Sequence, residues 1–112
     1  MSPPRGRGVG LGGLVLVAAL LGSACSEQTP LSPSAERGRQ IYVAQCMSCH
    51  GPEPGQDGPL GPAIKGASRE LLEARIVRGS YPPGYTPKRP TRIMPPLPAL
   101  AADVPALADY LR

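Results

Sequence analysis

The sequence predicts an all-α fold, with three to four short helices joined by long loops rich in glycine and proline. Three observations carry this expectation. Apolar residues recur at helical spacing in separate segments, near residues 35–46, 69–78 and 102–111. No stretch alternates apolar and polar residues as a half-buried strand does. The stretches between, residues 51–67 and 80–93, hold too much glycine and proline for regular structure.

The first element should run from about Ala35 to Cys46. Ser34 is placed to cap it, because its hydroxyl can accept from an early free N–H. Gly38, Ile41, Tyr42 and Gln45 fall on one face. A mid-helix glycine costs about 1 kcal/mol, so Gly38 signals close approach of another backbone. The second helix should span about Arg69 to Arg78, with Ser68 as its cap and Gly79 as its stop. Glu70 and Glu73 lie toward its positive end, Arg75 and Arg78 toward its negative end. The last helix should cover about Ala102 to Leu111, with Pro105 in the first turn, where it is tolerated. Val104, Leu107, Ala108 and Leu111 form its apolar face.

The N-terminal stretch reads as separate from this domain. Arg5 and Arg7 make a basic start, and no charge follows from Gly8 to Ser26. The apolar core, Val9 to Leu21, ends in Gly22-Ser23-Ala24 before Cys25. These are the parts of a secretory signal, and the run is short for a membrane span. LGSAC resembles the lipobox of bacterial lipoproteins, in which the cysteine becomes the lipid-bearing first residue. Gly22 stands where that family prefers leucine. The division expected is a lipoprotein-type signal at 1–24, a lipidated flexible tether at 25–34 and one domain at 35–112. An uncleaved anchor, or an ordinary signal leaving Cys25 a free thiol, is the alternative.

Charge excludes little by itself. The precursor carries +4, but without Arg5 and Arg7 ten basic side chains face eight acidic ones. No basic run interleaved with aromatics supports nucleic-acid binding. The size is more telling. A domain this small usually needs a staple, and this one has no Phe, no Trp and only four Tyr. A covalently attached porphyrin would supply the missing apolar body.

CMSCH, Cys46 to His50, points to that group. C-x-x-C-H is a haem attachment motif. Each thiol adds to a vinyl group as a thioether, and the adjoining histidine is directed at the iron. A thioredoxin-like pair would want a βαβ setting, and a zinc site would want about four ligands. The chain's single histidine lies inside the motif, and only one cysteine lies outside it. Met94 is the candidate for the second axial position. No other histidine exists, Met1 leaves with the signal, and Met47 lies inside the attachment loop. Lys65 or Lys88, or an open position, are the rivals. His/Met ligation raises the reduction potential and fills the iron, which favours electron transfer over catalysis.

With these residues in place, the segment Ala35 to Arg112 resembles the class I cytochrome c family in its small bacterial, monohaem form. GRQIYVAQCMSCHG is similar to that family's first helix and haem motif, and IMPPLP to its methionine-ligand segment. GPAIKG is similar to the segment after the motif, and LAADVPALADYLR to the last helix. The resemblance implies the cytochrome c fold, wrapped around one haem c. It implies that the carbonyl of Pro62 holds the ring N–H of His50. It implies that Gly38, Tyr42, Leu107 and Tyr110 form the crossing of the first and last helices. The family also holds its haem propionates with polar side chains, for which Tyr81, Tyr85 and Arg89 are candidates.

The function expected is one-electron transfer by a membrane-tethered carrier, with no catalytic residue. Cys46, Cys49, His50, Pro62 and Met94 would bind the haem, His50 and Met94 the iron. Partners would be redox proteins: a respiratory complex, a terminal oxidase, a peroxidase or a dehydrogenase. The protein would be exported to the periplasmic side of a bacterial membrane and anchored through Cys25, with no role for nucleic acid. A fixed relay subunit of a periplasmic dehydrogenase or oxidase complex is an alternative. A haem-based ligand sensor is another, if Met94 does not bind iron.

Overall fold

A computed structural model describes residues 28–112, together with Gly8 and Gly10. The segment expected to be a signal, and Cys25, lie outside the described residues. No strand occurs among those described, and none of their helices is long and apolar enough to cross a membrane.

The first helix, α1, spans Pro33–Gln45. It starts two residues before the expected position, and Ser32 rather than Ser34 caps it, accepting from the Ala35 N–H at 3.1 Å. The reason is Pro33. Its fixed φ suits the first helical position, where no N–H is needed, and this places the cap at Ser32, two residues before the expected one. Ser34 instead donates to Asp109 near the C-terminus, at 2.6 Å. After Cys46 a single turn, α2, covers Met47–His50 and ends at Gly51, whose φ of 80° favours glycine.

The second predicted helix is present in two parts. Residues Arg69–Leu72 form α3, capped by Ser68, which accepts from the Leu71 N–H at 3.1 Å. A π-helical turn, Glu73–Val77, continues it. Gly79 ends the unit at φ 63°. The last helix is likewise preceded by a tighter turn, a 3₁₀ segment at Pro98–Asp103. The α-helix proper, α4, spans Val104–Leu111, with Pro105 in its first turn.

Helices α1 and α4 make the most extensive contact among these elements. Gly38 sits at the crossing. A Cβ there would overlap the Ala106 carbonyl and touch Cβ of Tyr110. The Tyr42 and Tyr110 rings pack beside it, 5.5 Å apart and tilted by 55°. Arg37 donates from Nη2 and Nε to a single oxygen, Oδ1, of Asp103 at 2.6 and 2.9 Å. The core gathers Tyr42, Leu72, Ile76, Val104, Leu107 and Leu111. Two backbone bonds fasten the loops to it. The Leu97 N–H donates to Ile76 O at 2.6 Å, and the Gly66 N–H to Leu111 O at 2.5 Å.

Candidate functional site

The site begins where α1 stops. The Cys46 N–H still donates to Tyr42 O at 2.8 Å, while the Cys49 and His50 N–H groups turn back to Cys46 O at 3.2 and 2.9 Å. This turn folds the CMSCH motif into one compact unit. Tyr42 braces its exit, donating from its buried hydroxyl to Gly51 O at 2.7 Å. Burial pushes the Tyr42 phenol up to about 12.

Residues 58–62 then fold back over the motif. The Leu60 and Gly61 N–H groups both donate to Cys49 O, at 3.1 and 2.9 Å. Gly58 lies so close that a Cβ would overlap the backbone of Cys49, His50 and Gly51. Gly61 lies against the imidazole, with no room for a side chain. The outcome is a contact of 2.8 Å between His50 Nδ1 and Pro62 O. A carbonyl oxygen only accepts, so Nδ1 must carry the proton. Nε2 of the neutral ring therefore keeps its lone pair for a metal, and the bond strengthens it as a ligand.

Beside this histidine lies a cavity of about 730 Å³. Cys46, Cys49, His50 and Met94 all line it. Its walls are mainly apolar, with Leu72, Ile76, Leu107 and Leu111 contributed by the core. That volume lies within the range of pockets for large organic ligands, about 300–1,000 Å³. Two thiols, one free imidazole nitrogen and one thioether on an apolar chamber are a donor set that fits haem. The same residues suit a dithiol redox centre poorly. Burial, with the Cys49 charge adding to it, pushes the Cys46 thiol up to about 11, whereas reactive thiols run on lowered values. Among the described residues no group of three or more His, Cys, Asp or Glu gathers to hold a metal ion.

The other expected residues divide clearly. Met47 packs against the hydrophobic core. Lys65 and Lys88 reach the cavity wall, but the Lys88 ammonium donates to Ala63 O at 2.7 Å. Tyr81, Tyr85 and Arg89 all line the cavity. Arg89 is already engaged, 2.9 Å from Asp57. That carboxylate also accepts from the Ala63 N–H at 2.8 Å, and the two contacts hold it below its usual range, the backbone bond first. Ala63 is thus gripped at both backbone groups, which ties the 80–93 loop to the residue after Pro62.

Arg75 was missed by sequence reasoning, which assigned it only to the helix dipole. Its guanidinium lies 4.4 Å over the Tyr81 ring, and Tyr81 stacks on Tyr85 with centroids 5.4 Å apart and planes within 9°. The only signal in the sequence was a cation and two tyrosines flanking one glycine-ended turn.

An attachment motif at the mouth of a porphyrin-sized chamber, within a helical fold closed by its two end helices, defines a c-type haem protein. The chain belongs to the cytochrome c family: the model of that family, described as Cytochrome c, matches residues 35–112. The chain is also 34% identical over 87 residues to a cytochrome c-553-like protein of Synechocystis sp., covering 78% of this chain and 75% of that one. No solved structure matches significantly. The fold is the all-helical cytochrome c fold, and the cofactor is one covalently attached haem c at the Cys46/Cys49 pair. Its chemistry is haem-based electron transfer.

Proposed function

We propose that the protein is a freely acting one-electron carrier, with iron held between His50 Nε2 and the Met94 sulfur and with a lipid anchor at Cys25. One observation carries the ligand assignment: His50 and Met94 line a single chamber with both attachment cysteines. The haem supplies reversible one-electron chemistry when bound. The chain does the rest. Cys46 and Cys49 hold the cofactor in place. Pro62 O keeps the proton on His50 Nδ1. The soft, neutral thioether of Met94 favours the ferrous state and raises the potential. Apolar walls exclude water, so little rearranges when the charge changes.

With His50 and Met94 as the iron ligands, no vacancy would remain for a substrate, which supports a carrier and not an enzyme. Leu60 and Ile93 line the same chamber and are about 58% and 60% exposed. Together with exposed Cys49 they give redox partners an apolar place to touch. Respiratory complexes, oxidases, peroxidases and dehydrogenases are the partner classes. The basic start and apolar run before Cys25 support export to the periplasmic side of a bacterial membrane.

Absorption spectra of exported protein test this reading. Haem that survives acid-acetone extraction and a weak far-red sulfur–iron band in the ferric state are expected. Met94→Ala should lose that band, bind carbon monoxide when reduced and show a lower potential. Retention of the band in that variant would assign Met94 to core packing.

A further inference from the structure

We propose that Asp57, Arg89 and Lys88 form a latch between the two loops that carry the haem ligands, and that this latch sets how readily Met94 leaves the iron. Asp57 and Arg89 are thus positioning residues for the electron-transfer site. This rests on the His50/Met94 reading above and goes beyond it.

One loop, residues 54–66, passes His50 and supplies Pro62 O to its ring. The other, residues 80–93, leads into Met94. Two contacts join them. Arg89 Nη2 lies 2.9 Å from Asp57 Oδ2. Lys88 Nζ donates to Ala63 O at 2.7 Å. A third contact braces the joint: Asp57 Oδ1 accepts from the Ala63 N–H at 2.8 Å. One carboxylate therefore spends one oxygen on each loop. Ala63 follows Pro62 directly, so the latch closes one residue from the carbonyl that holds His50.

The chain beyond Met94 is pinned separately. The Leu97 N–H donates to Ile76 O at 2.6 Å. A Cβ at Gly79 would meet Pro96 at 3.5 Å, so this proline rests against the stop of the preceding turn. Met94 is slung between two fixed points, Arg89 and Leu97. Residues 90–96 separate them, and Pro90, Pro95 and Pro96 stiffen the span. With the latch open, the nearest earlier tie is Tyr85, held by its stack on Tyr81 and by its N–H bond to Pro82 O at 3.1 Å. The free span then grows to residues 86–96. Loop freedom scales as the 3/2 power of length, so the longer span is looser by about two-fold.

The ion pair stays wet. The side chains of Arg89 and Asp57 are 43% and 61% exposed. An exposed pair of this kind contributes little to global stability. Its effect is local, which suits a part that tunes the opening of one loop without holding up the fold.

The test is the exchange of Met94 for added imidazole in the haem-loaded ferric full chain, followed as loss of the sulfur–iron band. In that exchange the bond from iron to sulfur breaks and a bond from iron to imidazole nitrogen forms, and no electron moves. At about pH 8 imidazole is mostly uncharged, and at saturation the rate is that of Met94 release. Asp57→Asn keeps an oxygen for the Ala63 N–H but loses the charge that Arg89 meets. It should raise the limiting rate by about two- to five-fold, the span set by loop length and by an exposed ion pair. Arg89→Gln should do the same, and Arg89→Lys should recover part of the loss. The double variant, Asp57→Asn with Arg89→Gln, should be no faster than either single one. Salt should speed the wild type, because screening weakens an exposed pair, and should affect the double variant far less. Arg39→Gln, which breaks an ion pair on α1, should match the wild type. Wild-type rates in both Asp57→Asn and Arg89→Gln, with the band present at the start, would overturn the latch alone. Additive effects in the double variant would show that the two side chains act apart and would overturn it too. A wild type with covalent haem but no sulfur–iron band would overturn Met94 ligation, and this inference with it.

Discussion

At Gly61 a hydrogen stands where a Cβ would lie 2.6 Å from both Cε1 and Nδ1 of His50. The ring cannot swing away without losing its bond to Pro62 O. Gly61→Ala should therefore lower stability by about 1–3 kcal/mol, the usual cost of overpacking, and weaken the sulfur–iron band. Denaturant titration and the ferric spectrum would check both. Tyr42 offers a second test. Tyr42→Phe leaves the Gly51 carbonyl without its buried donor, at an expected cost of about 1–3 kcal/mol. The variant should also change the alkaline limb of stability. The phenol titrates near 10 when unfolded but is held up to about 12 by burial in the fold. Below pH 10 both states keep the proton and the stability is intact. Between about 10 and 12 the unfolded chain loses it first, so the wild type weakens as pH rises through this window. The Phe variant should lack that component of the slope in pH-dependent melting.

Among the elements, the α1–α4 crossing is the most sensitive to a small change. Gly38→Ala should push the helices apart, because the obstacle is the Ala106 backbone and not a movable side chain. A loss of about 1–3 kcal/mol or more is expected, read as a lower denaturant midpoint. This crossing was partly legible beforehand: an isolated glycine on an apolar helical face hinted at close approach, and family resemblance named the partners. Ser68 and Gly79 were legible because caps and stops depend on one residue's own chemistry. The start of α1 was misplaced because two serines flank Pro33, and the proline chooses between them. The π turn was not legible at all. Its hydrogen bonds depend on how Ile76 and Ala74 pack, and no residue type signals an i→i+5 register. Arg75 was hidden for the same reason, since a helical wheel of regular pitch aims it elsewhere. The contact of Pro62 with His50 came from resemblance alone, because spacing does not say that Gly58 lets the chain double back.

For the molecule as a whole, the described domain holds one chamber lined by residues from nearly every element. Leu72 comes from α3, Ile76 from the π turn, Leu107 and Leu111 from α4. This explains how a chain without Phe or Trp sustains a fold: the cofactor is the centre around which the short helices arrange themselves. The proposed lipid anchor belongs to this scale too. Cys25→Ser should move the exported protein from the membrane fraction to the soluble one, read by fractionation and by loss of lipid mass. Persistence in the membrane would favour an uncleaved N-terminal segment.

The crossing at Gly38 and Ala106 also sets an order of events in time. It joins the opening helix to the closing one, and the loop residue Gly66 waits for the carbonyl of Leu111. Until the last helix has folded against the first, neither contact exists. CMSCH, by contrast, lies near the start of the domain and emerges early. On a chain whose end helices have not yet met, the Cys46 sulfur is not yet shielded by its neighbours. Closure then comes last, and seals in whatever the cysteines have acquired.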